Sequence, residues 1–134
     1  LIEPVTALRH VNAILGPNVN LVGWPIYTQR APDEADKGIL VVVASSGIQS
    51  GLTDGEITHA DPLLLVQAFS KKLEDASEVA VEIHEALENS VGSYESERVV
   101  SCTRQAPMFG SNTLASKEER FFTGGTYRIV VTSA

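Results

Sequence analysis

The chain has 134 residues, and 10 Lys and Arg stand against 17 Asp and Glu, a formal net charge of −7. This length fits one domain spanning 1–134, and the acidic balance excludes a broad basic face for gripping nucleic acid, since phosphate neutralisation needs clustered Lys and Arg. An apolar share of 43% excludes wholesale disorder, and no apolar run approaches the roughly 20 residues that span a bilayer.

Residues 3–15 predict an amphipathic helix. Pro4 suits a first helical turn, Val5, Leu8, Val11 and Ile14 or Leu15 recur at helical spacing, and Gly16-Pro17 stops the pattern. Residues 21–28 predict a short strand, and Pro25 within it points to an edge or a bulge. Residues 29–38 carry Pro32, Gly38 and the charges Asp33, Glu34, Asp36 and Lys37 and read as a loop. The β-branched run at 39–44 predicts a strand covered on both faces. Residues 45–61, with Gly47, Gly51 and Asp54-Gly55, read as a loop or a loosely paired hairpin arm.

Residues 62–69 form the next expected strand. Residues 74–90 are the clearest helix: Asp75 and Glu78 resemble a capping box, Ala76, Val79, Ala80, Ile83 and Leu87 form a buried stripe, and Gly92 is a plausible stop. A strand is expected at 98–103, an exposed loop at 105–117, and a closing strand at 120–132 with a bulge or bend at Gly124-Gly125. Strands come in runs rather than alternating with helices. The expected fold is therefore α+β: a mostly antiparallel or mixed sheet of about five strands with two helices packed on one face.

Catalytic signatures are sparse. Cys102 is the sole cysteine, so an internal disulfide and a cysteine zinc cage are both excluded. Its apolar strand suits a packing thiol rather than a nucleophile. With an N-terminus that lacks signal-peptide texture, the lone cysteine points to synthesis in a reducing cytoplasm. His10 falls beside solvent-facing Arg9, and His84 on the flank of the second helix. His59, in a loop with Asp54, Glu56 and Asp61, gives the nearest approach to a metal pair, His59-x-Asp61, but two ligands in a loop fall short of a site. Neither Ser45-Ser46-Gly47 nor Gly124-Gly125-Thr126 has the spacing of a phosphate loop, and no G-x-S-x-G elbow is present. No catalytic residue, cofactor or metal is expected.

Charge patterning is more informative. Glu74, Glu78, Glu82, Glu85 and Glu88 fall at steps of three and four and make one acidic helix face. Arg98, Arg104, Lys117, Arg120 and Arg128 gather in the last third of the chain. This asymmetry suggests head-to-tail association, with Glu78, Glu82 and Glu85 of one subunit facing Arg98, Arg104, Arg120 and Arg128 of the next.

Three stretches together resemble a known family: Gly23-Trp24-Pro25-Ile26-Tyr27 with the acidic loop 31–36 and the run 39–43; Asp61-Pro62 with the apolar segment 63–69, leading into Asp75-Ala76-Ser77-Glu78; and Gly124-Gly125-Thr126-Tyr127-Arg128 with 129–131. With the leading helix, this layout is similar to the tail terminator, or tail completion, proteins of long-tailed bacteriophages. The resemblance implies an α+β subunit of a hexameric ring that caps the tail tube, ends its polymerisation and offers a docking face to neck or head-completion proteins. It also implies a virion location after assembly in the host cytoplasm, DNA passing through the lumen without specific binding, and neither catalysis nor membrane contact. A net acidic ring lets DNA slide, since like charge holds phosphates off the wall.

Gln49, Leu52, Asp54 and Glu56 in one loop and Met108, Phe109 and Asn112 in the other are the expected contacts with tube or neck. The nearest alternative is a neck or stopper protein; a more distant one is a small metal-dependent α+β enzyme using His59 and Asp61.

Overall fold

The computed structural model describes residues 4–47, 49–51 and 57–133. In chain order the elements are α1 (Pro4–Leu15), a 3-10 turn (Val19–Leu21), β1 (Ile26–Thr28), β2 (Lys37–Ser45), β3 (Gln49–Gly51), β4 (Ile57–Ala60), β5 (Leu63–Ser70), α2 (Leu73–Leu87), β6 (Gly92–Tyr94), β7 (Glu97–Thr113) and β8 (Glu119–Ser133). The fold is α+β, and the described strands form one eight-stranded mixed sheet, with more strands than the composition pattern suggested.

Strand β8 organises the sheet. Along one edge it pairs with β7 from Glu119 to Ser133. Along the other it pairs first with β5, through residues 121–128, and then with β4, at Val131 and Thr132. Outward from β5 come β2, antiparallel, and β1, parallel to β2; outward from β7 comes β6. The sheet therefore has β1 at one side and β6 with β7 at the other.

The two helices pack against each other, with α2 on β5 and β8 and α1 reaching across to β7. Between them and the sheet lie Ala76, Val79, Ile83 and Leu87 of α2, Ala7, Val11 and Leu15 of α1, and Ile39, Val41, Leu64, Val66, Ile129 and Val131 of the strands. Each fully buried Leu, Ile or Val stabilises the fold by roughly 1.5–3 kcal/mol. Residues adjacent to these along each strand face the other side of the sheet. There Phe69 stacks on Phe122 at 5.1 Å and on Tyr27 at 5.9 Å, and Arg120 lies over both phenyl rings, 4.8 Å from Phe69 and 5.3 Å from Phe122.

Several local expectations change. Residues 105–113 are not a loop but the outer half of β7. Pro107, Gly110 and Asn112 are poor strand formers, yet here β8 supplies one-sided pairing along an edge, where proline is tolerated. The segment 45–61 contains the antiparallel pair β3–β4, the hairpin arm of the two alternatives. Strand β1 is shorter than expected because a 3-10 turn occupies 19–21 and Gly23 has φ +86°.

Asp75 is no cap: α2 starts at Leu73, and Ser70 Oγ accepts the Lys72 N–H instead. Asp75 and Glu74 sit in the first turn, where they complement the helix dipole. Asn89, at φ +63°, turns the chain after α2, not Gly92. Gly124-Gly125 lies in unbroken β8, and the register shift falls on the partner strand, between Arg104 and Ala106 of β7, opposite Tyr127 and Thr126.

Helix α1 also turns a different face inward. Thr6, Ala7, His10, Val11 and Leu15 are buried, whereas Val5 is 52% exposed. The polar members of that face are matched by β6, β7 and the turn after α2: Thr6 Oγ1 donates to Glu97, and His10 meets Tyr94 and Ser90.

Candidate functional site

The residues with chemical potential are mostly engaged inside the subunit. His10 is fully buried, not near solvent, with Nδ1 2.7 Å from Tyr94 Oη and Nε2 2.8 Å from Ser90 Oγ. Burial holds its imidazole below the usual value. A lowered folded-state value means the fold accommodates the neutral ring. Its contribution is complete above the unfolded-chain value of about 6.5 and drains as pH falls below it. Stability should therefore drop as pH falls below about 6.5, by at most about 1.4 kcal/mol per pH unit from this residue. Urea melts of His10→Gln should show a flatter pH dependence than wild type; parallel curves would mean other groups carry the acid sensitivity.

Cys102 is fully buried, and desolvation pushes its thiol up to about 11, so it is neutral and unreactive at physiological pH. His84 Nδ1 lies 3.0 Å from Tyr127 Oη and 3.8 Å from Glu88 Oε2. Burial raises Tyr127 to about 12, so it stays a neutral phenol. His59 is exposed on β4, whereas the Asp61 carboxylate accepts a bond from Arg128 Nη1 at 2.9 Å. Among the described residues no three His, Cys, Asp or Glu side chains converge as metal ligands.

The four arginines expected at a subunit interface have very different placements. Arg120 is 1% exposed, and its guanidinium donates to Pro32 O at 2.7 Å, Ala35 O at 2.8 Å and Asn112 Oδ1 at 3.3 Å. Arg104 donates from Nη2 to Gly124 O at 2.7 Å, and its backbone N–H binds Glu88 Oε2 at 2.9 Å. Arg128 is held by Asp61. Arg98 alone of the four is exposed and, among the described residues, makes no ion pair. It borders a shallow cleft with Val91, Val99 and Val100 at the β6–β7 side of the sheet.

The acidic residues separate too. Glu85 shares a cleft with Arg104 of its own chain. Glu78 and Glu82, with Asp75, instead wall a groove of about 690 Å³ between α2 and the segment bearing Asn20, Trp24 and Lys37. Val79 and Val81 also line it. Lys37 Nζ sits 5.3 Å from the Trp24 ring centroid, and Asn20 Nδ2 donates to Glu82 Oε2 at 3.2 Å. Among the described residues Asp75, Glu78 and Glu82 make no ion pair. Sequence reasoning missed Trp24, Asn20 and Lys37 as groove residues. The only available signal was a lone tryptophan beside a proline, which read equally well as a strand residue.

Of the expected contact residues, Met108 and Phe109 are 42% and 62% exposed on the outer half of β7, and Asn112 is near its end. Gln49 opens β3, whereas Leu52, Asp54 and Glu56 lie outside the described residues.

No protein-family model and no curated protein matches the chain. In fold it is similar to a chain of the virion of a native gene transfer agent (GTA) particle, with a TM-score of 0.60, 15% identity and 92% of each chain covered.

Proposed function

We propose that this chain is a structural subunit of a phage-like virion, and within it the tail terminator. The observation that carries the reading is the likeness in fold, over nearly the full length, to a chain of the gene transfer agent virion. The side-chain chemistry supports a non-enzymatic role, because His10, His84, Cys102 and Asp61 are committed to internal contacts.

In this reading, subunits associate head to tail into a hexameric ring. One face of the ring binds the last turn of the tail tube and ends polymerisation; the other receives a neck or head-completion protein. The exposed Met108 and Phe109 and the segment around Gln49, Leu52, Asp54 and Glu56 are the proposed tube or neck contacts. The net charge of −7 keeps passing DNA from adhering to the lumen.

Deleting the gene from the particle that encodes it should leave tails of uncontrolled, excessive length, and purified protein should decorate tube ends as six-fold rings in negative stain. Tails of normal length that fail to join heads would assign the chain to the neck instead.

A further inference from the structure

We infer that the ring closes through one contact: the groove between α2 and Trp24 of one subunit receives Arg98, with Val91 and Val100 beside it, from a second copy of the same chain. This inference rests on the ring reading above and specifies how neighbours meet.

Position comes first. Trp24 and Lys37 lie at the β1–β2 side of the sheet, and Arg98 lies on β7 beside β6, at the opposite side. Two different patches on opposite sides of one subunit make a heterologous contact, the kind that generates rings when the rotation closes.

Charge selects the same two patches. Among the described residues, Asp75, Glu78 and Glu82 wall the groove without an ion pair, and Lys37 stands among them over Trp24 as the groove's one cation. Arg104, Arg120 and Arg128 are spent on internal acceptors, which leaves Arg98 as the basic residue of the former interface set that is free to bind elsewhere. A guanidinium suits this groove because it can bond carboxylates and stack on an indole at once.

Apolar exposure agrees. Val81 is 56% exposed at the groove, with Val19 at 80% and Val22 at 79% on the 3-10 turn and its C-cap. Val91 at 62% and Val100 at 42% flank Arg98. An apolar surround that excludes water raises the strength of a charged contact at its centre. A further exposed apolar pair, Met108 and Phe109, lies farther along β7, where Pro107 guards the free edge against strand pairing.

The test is a charge exchange in the full chain, read by sedimentation velocity and negative-stain microscopy. Glu78→Arg and Arg98→Glu should each weaken ring formation at least about tenfold, and the two together should restore it. Both residues are exposed, so circular dichroism and urea midpoints should match wild type; Val100→Ser provides a second, uncharged weakening. Rings unaffected by Arg98→Glu, a double exchange that fails to recover, or a wild-type chain that stays monomeric at millimolar concentration overturns the contact. Rings that obey the exchange but never cap tubes would leave the contact standing and remove the terminator reading. Rings that cap tubes in every variant would do the reverse.

Discussion

Replacing Arg120 with alanine should cost about 3 kcal/mol or more, measured as a lower urea midpoint. The guanidinium is buried, makes three hydrogen bonds and covers two phenyl rings. A hydrogen bond from a charged donor contributes roughly 1.5–3 kcal/mol, and truncation also strips packing from Phe69 and Phe122. Two further variants separate these contributions. Arg120→Met keeps an apolar stem over the rings but leaves the Pro32 and Ala35 carbonyls without their donor. Arg120→Lys keeps charge but loses the planar fork that reaches both carbonyls while stacking. Both should fall between wild type and alanine. An alanine variant within about 0.5 kcal/mol of wild type, the range of ordinary surface substitutions, would mean the acidic loop at 29–36 is held by its backbone alone.

The second large effect is expected at Gly124. A Cβ placed there would lie 2.1 Å from Val66 O and 2.8 Å from Gln67 Cα, both main-chain atoms of β5. Strand β5 is tied to β2 on its other side and cannot move away without breaking that ladder. Gly124→Ala should therefore destabilise by about 3 kcal/mol, at the upper end of overpacking penalties, or prevent soluble expression. Gly110→Ala is the matched control, since a Cβ there meets nothing within 4 Å; its midpoint should move by no more than about 0.5 kcal/mol. Equal behaviour of the two variants would show that β5 and β8 are less tightly apposed than the structure has them.

These positions show where the sequence was readable. Continuous apolar runs placed β2 and β5 within two residues, and helical periodicity placed α1 and α2 nearly as well, because those signals come from the elements themselves. The α+β class followed from their order. The Gly124-Gly125 pair was visible as a special feature, but its cause was not: the glycines permit close approach of neighbouring strands that are distant in sequence. The outer half of β7 was hidden for the same reason, since its strand conformation comes from one-sided pairing with β8 rather than from Pro107, Gly110 or Asn112. His10 read as a residue near solvent and Arg120 as a subunit-interface residue because nothing local announces that Tyr94 and Ser90, or Pro32 and Ala35, wait for them across the fold. Of the candidate interface set, helical spacing put Glu78 off the buried stripe, while the fates of the arginines depended on tertiary partners and could not be read from spacing.

The position of β8 in the sheet has a consequence for synthesis. This strand borders β4, β5 and β7, yet it is the last described element to leave the ribosome. Until residues 121–131 emerge, β5 has an unpaired edge and the α2 stripe lacks Ile129 and Val131 beneath it. Long-range strand pairing of this kind makes folding slow, since loop closure must precede the contacts that reward it. The core of the described residues is therefore completed only once β8 has emerged and paired. Only then do the β1–β2 and β6–β7 sides of the sheet acquire a fixed separation, so association of partly made subunits through both sides is disfavoured by the order in which the chain is built.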